Sequence, residues 1–567
     1  MSGTITINST DLINAVKPQL LQMPEITRQP YSYIIYTDGT TVYAKNGYTG
    51  QIDFKGSDAS TVIQHALDSL TPDRTWKETV IIKGNLIIRT TISIHSYTRV
   101  LINGKLQLQT GATYSTINIY GANDVEIIGG IVDGNMEGMT SNEALIVVDS
   151  SDNITIRDMA IINFPKRGIM ITNSKNINVK NIYLENQGTG LIDYGWGINT
   201  ANVKNCIIEN VLGKNVRNHV IDAGGENISI KNVFALNAYG ALVVFGKNIL
   251  VENIFAEMIT NDYYAIVVGS DIASYTRSNN IVVKNSYIYF GRGGIFVQQT
   301  EQSSILNNFI FGTRNDAGIV ISQVNAGNDN IEIQGNTVYN CLVGIYVTGN
   351  NHKITKNNVI NSDNEGIYLH GAKNVDIDGN LVIKNGKDGI FVTNNSSSVN
   401  IRFNIVYNNN QNNDPYENAG IDIYNSNLVS VIGNIVFDDE QIKKQQYGIK
   451  IGGSSDYYIV KDNIVQGNAV AQIAIFAYGS NRIIYDNIGY QTRNSGQAVF
   501  NGDGVTTQFM IPHSLASMPS KILVTPGSSD ANGALYVTAD STYIYVNYAT
   551  APPTGTNNVV LYWYAEV

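Results

Sequence analysis

Along most of the chain, apolar and polar residues alternate in runs of four or five positions, and the runs recur as one phrase. The phrase reads Gly-Ile-x-Ile, a turn, Asn-Ile-x-Ile, a turn, then Asn-x-Ile-x. Its first piece stands at Gly168-Ile169-Met170-Ile171, Gly294-Ile295-Phe296-Val297, Gly344-Ile345-Tyr346-Val347, Gly389-Ile390-Phe391-Val392 and Gly420-Ile421-Asp422-Ile423. The second stands at Asn153-Ile154-Thr155-Ile156, Asn227-Ile228-Ser229-Ile230 and Asn330-Ile331-Glu332-Ile333. Alternation with period two is the mark of a strand with one buried face. Gly318 to Gly344 spans 26 residues, Gly344 to Gly366 spans 22 and Gly366 to Gly389 spans 23, the repeat length of a solenoid.

Three strands per period, joined by turns rich in Gly and Asn, predict one triangular coil. Stacked coils pair every backbone with its neighbours and bury a continuous column of Ile and Val. The pattern therefore predicts an all-β chain built on a parallel β-helix. Asn at one corner of successive coils has a physical reason, since it accepts left-handed backbone and its amide can bond the next Asn in a ladder. About fourteen coils at roughly 4.8 Å each give a rod on the order of 65 Å long.

Departures from the phrase predict the remaining parts. Residues 1–50 form an N-terminal head: Ser9-Thr10-Asp11 caps an amphipathic helix, and Tyr33-Ile34-Ile35-Tyr36, Asp38-Gly39 and Thr41-Val42-Tyr43 spell a hairpin. Residues 51–115 hold a second helix, opened by Ser57-Asp58-Ala59 with Val62, Ile63, Ala66, Leu67 and Leu70 on one face, and the first coils. A solenoid end exposes strand edges and core, so this helix is read as its cap. Residues 116–491 form the parallel β-helix. Residues 492–567 lose the repeat and read as a small C-terminal antiparallel β domain, whose apolar close at Val559-Val560-Leu561-Tyr562-Trp563-Tyr564 points to burial between subunits and to a homotrimer.

Composition narrows the function. The chain has 567 residues, 52 Gly, 11 Pro and 15% charged residues, suiting one long solenoid with appendages. A net charge of −10 argues against nucleic acid, whose phosphates require a basic surface. No run of about 18 apolar residues predicts membrane insertion, and the N-terminus lacks the basic and apolar runs of a signal peptide. An acidic fibre without such a signal fits a virion surface or another extracellular setting. Cys206 and Cys341 are too far apart in the repeat for a disulfide and read as buried thiols. The six histidines have no metal-ligand spacing, so neither a metal nor a cofactor is expected.

Phe54-Lys55-Gly56-Ser57-Asp58-Ala59, leading into Ile63-Gln64-His65-Ala66-Leu67 and Val80-Ile81-Ile82-Lys83-Gly84 and then into the repeats, resembles the pectate-lyase-like right-handed β-helix superfamily. The head and the segment from Phe500 to Val567, with Asn501-Gly502-Asp503-Gly504 and Trp563-Tyr564-Ala565-Glu566, resemble viral tailspike or tail-fibre proteins. The resemblance implies a right-handed helix, trimers, virion attachment through the head, and binding with frequent cleavage of cell-surface polysaccharide. Gly129-Gly130-Ile131-Val132-Asp133-Gly134 also resembles a β-helix glycosidase phrase. The Asn-Thr-Asp and Gly-His-Gly motifs of polygalacturonases are absent, with Gly197-Ile198-Asn199-Thr200 a faint echo, and the calcium acids of pectate lyases have no counterparts.

Aligning the coils places one outward column at Val147, Met170, Asn199, Asp222, Val243, Val267, Phe296, Val320, Tyr346, Tyr368, Phe391, Asp422 and Lys450. Glycoside hydrolysis uses two carboxyls about 5 to 9.5 Å apart, a spacing that neighbouring coils supply. Asp193 and Asp222, with Asp262 in reserve, are the expected catalytic carboxyls, and His219 a proton-transfer or binding group. Trp196, Tyr263, Tyr264, Tyr346, Tyr368 and Phe391 can stack on sugars, while Arg217 and Asn199 can bind them, Arg217 favouring an acidic sugar. In a second cluster, Glu365 and Asp388 both precede a repeat glycine near His370 and Asp422. Stacked on adjacent coils they repel, and exposure is the expected relief, with a raised pKa or a bound cation the alternatives. The leading function is polysaccharide binding with depolymerisation, by hydrolysis first and by lyase chemistry second. The competing readings are a non-catalytic adhesin or structural fibre and a cellular polysaccharide hydrolase or lyase.

Overall fold

The computed structural model describes residues 31–135, 144–186, 195–260, 262–269, 277–322, 328–413 and 418–567. The predicted helix near Ser9, together with Asp193 and Tyr194, lies outside them. The chain divides into two compact units, Met1–Lys353 and Ile354–Val567.

In the first unit, strands β1 (Tyr33–Thr37) and β2 (Val42–Asn46) form the hairpin signalled by Asp38-Gly39, and β3 (Ile52–Gly56) pairs with β2. Asp38 closes the turn by accepting the backbone N–H groups of Thr40 and Thr41 at 2.9 and 2.8 Å. The hairpin is joined to the repeat region, because β1 runs parallel to β4 (Glu78–Ile88) with Tyr33 opposite Val80. Helix α1 (Ala59–Asp68) starts where Asp58 accepts the Ser60 N–H, and it buries Val62, Ile63, Ala66 and Leu67 as its spacing predicts.

From there parallel coils follow. Ile146, Ile169, Ile198, Ile221, Leu242, Ile266, Ile295, Ile319 and Ile345 are each in register with the next and fully buried. Each such side chain contributes about 1.5–3 kcal/mol of burial. Cys206 takes a place in the inward row between Ile177 and Ile228, and burial pushes its thiol up to about 12; both cysteines are free and buried.

The asparagine corners form ladders. Asn205 donates its amide to Asn176, Asn227 to Asn205, Asn248 to Asn227 and Asn280 to Asn248, at 2.9–3.1 Å. All five residues hold φ between 54° and 57°, the left-handed region that Asn accepts at least cost after Gly.

The second unit repeats the plan, with Ile367, Ile390, Ile421, Ile449 and Ile473 in register inside. Its ladder is buried. Asn357, Asn380, Asn404, Asn434, Asn463 and Asn487 are at most 5% exposed, and each Oδ1 from Asn380 onward accepts both the backbone N–H and the amide of the previous Asn. At this turn the left-handed residue stands one position before the ladder, at Lys356, Gly379, Phe403, Gly433, Asp462 and Asp486.

After the coils, two three-stranded antiparallel sheets pack on each other. Arg493–Gly502, Gly555–Glu566 and Lys521–Pro526 make one, while Gln508–Pro512, Tyr543–Tyr548 and Leu535–Ala539 make the other. The apolar chain end splits by alternation. Val559, Leu561, Trp563 and Ala565 belong to this domain's own core, so only Tyr562 and Tyr564 are left at the surface as large apolar groups.

Candidate functional site

The outward column expected in the first unit is a register row. Val147, Met170, Asn199, Asp222, Val243, Val267, Phe296, Val320 and Tyr346 are opposite one another on successive coils. The position two residues before the inward Ile or Leu makes a second row along the groove edge, with Arg167 opposite Trp196, His219 opposite Gly240 and Tyr264 opposite Gly293. These two rows carry nearly all the chemistry of the face.

Asn199 and Asp222 are direct neighbours on the face, with Asp222 buried to 8% exposure. His219, three residues before Asp222, is enclosed. Its Nδ1 is 2.6 Å from the Asn218 Oδ1, its ring meets Tyr263 edge-on at 5.8 Å, and a Cβ added at Gly240 would lie 2.2 Å from it. Burial lowers its pKa to about 4, so the ring is neutral at pH 7. Tyr263 also packs on Tyr239 at 5.7 Å.

Tyr264 stacks on Phe296 with ring centres 4.5 Å apart and donates its hydroxyl to Asp316. Arg292 lies over the Tyr264 ring at 5.2 Å and 3.8 Å from Asp316. Burial and the Asp316 carboxylate push the Tyr264 phenol far above its ordinary value, so it stays protonated. Arg167 lies over Trp196 at 5.0 Å. Arg217 and Asp262 are exposed on turns at the groove edge, and the Asp262 N–H bonds the Thr260 hydroxyl at 3.5 Å. Asp262 sits on the turn leading to Val267, two coils beyond Asp222.

The second unit has a row of its own, with Tyr368, Phe391, Asp422 and Lys450 opposite one another on successive coils. Tyr368 stacks on Phe391 at 5.3 Å and shares a hydrogen bond of 3.2 Å with His370, whose other nitrogen is 2.9 Å from the Asn394 amide. Asp422 pairs with Lys450 at 3.2 Å, both side chains largely buried. The relief expected for Glu365 and Asp388 differs from the outcome. Asp388 is only 5% exposed, and its Oδ1 accepts the Ala419 N–H at 2.6 Å. Burial, reinforced by the charge of Asp422, raises its carboxyl well above the ordinary range. Glu365 is 3.8 Å from the Lys387 ammonium. Asp388, its carboxyl raised by burial, thus lies near Asp422, whose carboxylate is paired with Lys450, an arrangement that separates two carboxyls as acid and base catalysis requires.

The sequence reading missed Arg167, Arg292 and Asp316. The signal for Arg167 was present, because it occupies the position two residues before the inward Ile, where Trp196, His219, Tyr264 and Asp388 also stand. Among the described residues, no group of three or more His, Cys, Asp or Glu is arranged to hold a metal ion, and no helix is long and apolar enough to cross a membrane.

Residues 218–382 and 326–464 match the family model for a right-handed beta helix region. The repeat is a right-handed β-helix. Comparison with curated proteins gives no match. Among solved structures, the chain is similar to the tailspike protein of E. coli bacteriophage HK620 in complex with pentasaccharide, at 13% identity over 98% of this chain and 99% of that one, with a TM-score of 0.49. A double mutant of the periplasmic alginate epimerase AlgG aligns at 12% identity over 68% of this chain and 76% of that one, with a TM-score of 0.31.

Proposed function

We propose that this β-helix is a tailspike-type protein of a virion surface that binds cell-surface polysaccharide along its outward groove and depolymerises it. The observation that carries the reading is the outward row held in coil-to-coil register, which brings the aromatic Phe296, Tyr346, Tyr368 and Phe391 and the polar Asn199, Asp222 and Asp422 to the groove face among aliphatic neighbours. Phe296 and Tyr346, two coils apart in the first unit, and Tyr368 and Phe391, on adjacent coils in the second, supply surfaces for sugar rings at multiples of about 4.8 Å, close to the length of one sugar. Trp196, Tyr263, Tyr264, Arg217 and Asn199 complete the first unit's groove.

For cleavage, Asp222 is the carboxyl on the groove face of the first unit, with Asp193 and Asp262 as partners and His219 holding the Tyr263 turn in place. A second hydrolytic reading is favoured by a specific observation in the other unit, where burial raises the Asp388 carboxyl close to the lysine-paired Asp422. Asp388 is then the acid and Asp422 the base or nucleophile. The exposed Leu523, Tyr562 and Val499 on the outer face of the C-terminal sheet support association into a trimer, and the N-terminal residues are the proposed attachment to the particle.

The test is turnover of purified bacterial surface polysaccharide, followed by new reducing ends and by absorbance of unsaturated products. Reducing ends without that absorbance support hydrolysis, unsaturated products replace it with lyase chemistry, and binding without either product leaves an adhesin. Asp222→Asn and Asp388→Asn, compared at equal folding, assign the chemistry to one unit or the other.

A further inference from the structure

We infer that the outward face of the third strand in the second unit's coils is an interface between copies of this chain, with a second copy lying parallel against it. The face belongs neither to the groove strand nor to the C-terminal sheet. In Leu381–Ile383, Ile405–Tyr407, Ile435–Phe437 and Ile464–Gln466, the outward residues form two register rows. One row is Leu381, Ile405, Ile435, Ile464 and Ile488. The other runs from Ile360 and Ile383 to Tyr407 and Phe437, whose rings stack 4.6 Å apart. From Leu381 to Ile488 neither row holds a charged residue.

Water reaches this apolar surface. Ile405, Ile435 and Ile488 are 39%, 36% and 64% exposed, and Phe403, on the turn just before Ile405, is 61% exposed. Phe403 also holds φ 54°, a left-handed conformation that strains a bulky residue, at a turn position filled in the other coils by Lys356, Gly379, Gly433, Asp462 and Asp486. Its ring covers Gly433 on the next coil, where a Cβ would lie 2.6 Å away. The second strand of the same coils is built differently. There Arg402 lies 3.6 Å from Asp376 and 3.7 Å from Asp378, the Asn400 amide donates to Asp376 at 2.8 Å, and the Ser430 hydroxyl donates to Asn400 at 2.7 Å.

Chemistry and size select the occupant. The Ile and Leu row offers a sugar neither a ring face nor a side-chain hydrogen bond, whereas it offers another aliphatic sheet face a dry contact. Its ridges recur at steps of about 4.8 Å, a spacing that a second copy of the same coils matches. The two rows and Phe403 expose on the order of 500 Å² of apolar surface, so joining two copies removes roughly 1,000 Å² from water, the size at which a specific interface begins. The coils thereby add a contact of their own to the trimer proposed above.

The experiment measures thiol access in the full chain, where Cys206 and Cys341 are buried and contribute no background. Ile435→Cys is compared with Ile207→Cys, an exposed position on another face, by rate of reaction with a polyethylene-glycol maleimide. The expected result is an oligomeric parent in which the thiol at 435 reacts about tenfold or more slowly than that at 207. Ile405→Glu placed beside Ile435→Cys should bring the two rates together and shift sedimentation to a smaller species, with circular dichroism unchanged. Equal rates in an oligomeric Ile435→Cys protein overturn the inference while leaving a trimer held by the C-terminal sheet. Slowing that appears only on adding polysaccharide or lipid vesicles assigns the face to that ligand and overturns it as well. A monomeric parent overturns both this interface and the trimer.

Discussion

At the residue scale, the two asparagine ladders do different work and should respond differently to alanine. Asn404 accepts from the Asn380 backbone and amide, and donates to the Ile377 carbonyl and to Asn434, all inside the coil. Removing it strands several buried polar groups, at a cost of about 3 kcal/mol or more. Asn205 stands on an exposed corner at φ 54°, where alanine costs roughly 1–2 kcal/mol of backbone strain. Denaturant unfolding should therefore place Asn404→Ala well below Asn205→Ala; equal losses would show that burial of the ladder is not what matters.

Titration belongs to this scale too. His219 and His352 are buried and neutral, each with a pKa lowered to about 4, so the unfolded chain takes up protons that the fold refuses. Stability should fall as pH drops from about 6.5 toward 4, by on the order of 3 kcal/mol per histidine. Asp388 acts in the opposite direction. Its folded pKa is raised, so its contribution is lost as pH rises from the carboxylate range through that elevated value. Melting temperature against pH should show both limbs, and Asp388→Asn, which keeps an oxygen for the Ala419 N–H, should flatten the one that falls as pH rises. An unchanged slope on that limb would contradict the raised carboxyl.

At the scale of the element, each groove strand is a register device, and small residues along it make room for large ones on the neighbouring coil. Gly293 is opposite Tyr264, and a Cβ there would lie 2.4 Å from the tyrosine ring. Gly293→Ala should displace Tyr264 from Phe296 and Asp316, weakening oligosaccharide binding about tenfold with little change in circular dichroism. Binding at parental strength would remove Tyr264 from the site.

The coil phrase, the capping helix, the hairpin and the outward row were legible because each is written in a period or a cap. Electrostatic outcomes were not. Whether Asp388 is exposed or protonated depends on the Ala419 N–H and on Asp422 a coil away, and whether His219 can titrate depends on the rings around it. Periodicity says which residues share a face; it does not say how much water reaches them.

At the scale of the whole molecule, the C-terminal domain consumes half of its apolar chain end internally and still leaves Leu523, Val499 and Tyr562 exposed at 63%, 45% and 52%. Register places Tyr564 beside Leu523, and the Val499–Val560 pair lies on the same outer face. If this face joins subunits, Leu523→Glu should shift sedimentation from trimer to monomer while the β signature of the fold persists. A monomeric parent would end the trimer proposal.

The central claim is that the outward row is a glycan-binding groove. The most direct test is the affinity of the full chain for its surface polysaccharide, compared among the parent, Phe296→Ala and Phe391→Ala on the row, and Ile207→Ala, an exposed residue on another face. The account predicts a loss of about tenfold for one or both row variants, since a stacked ring contributes roughly 1–2 kcal/mol, and no change for Ile207→Ala. Parental affinity in both row variants, or an equal loss in all three, would contradict it.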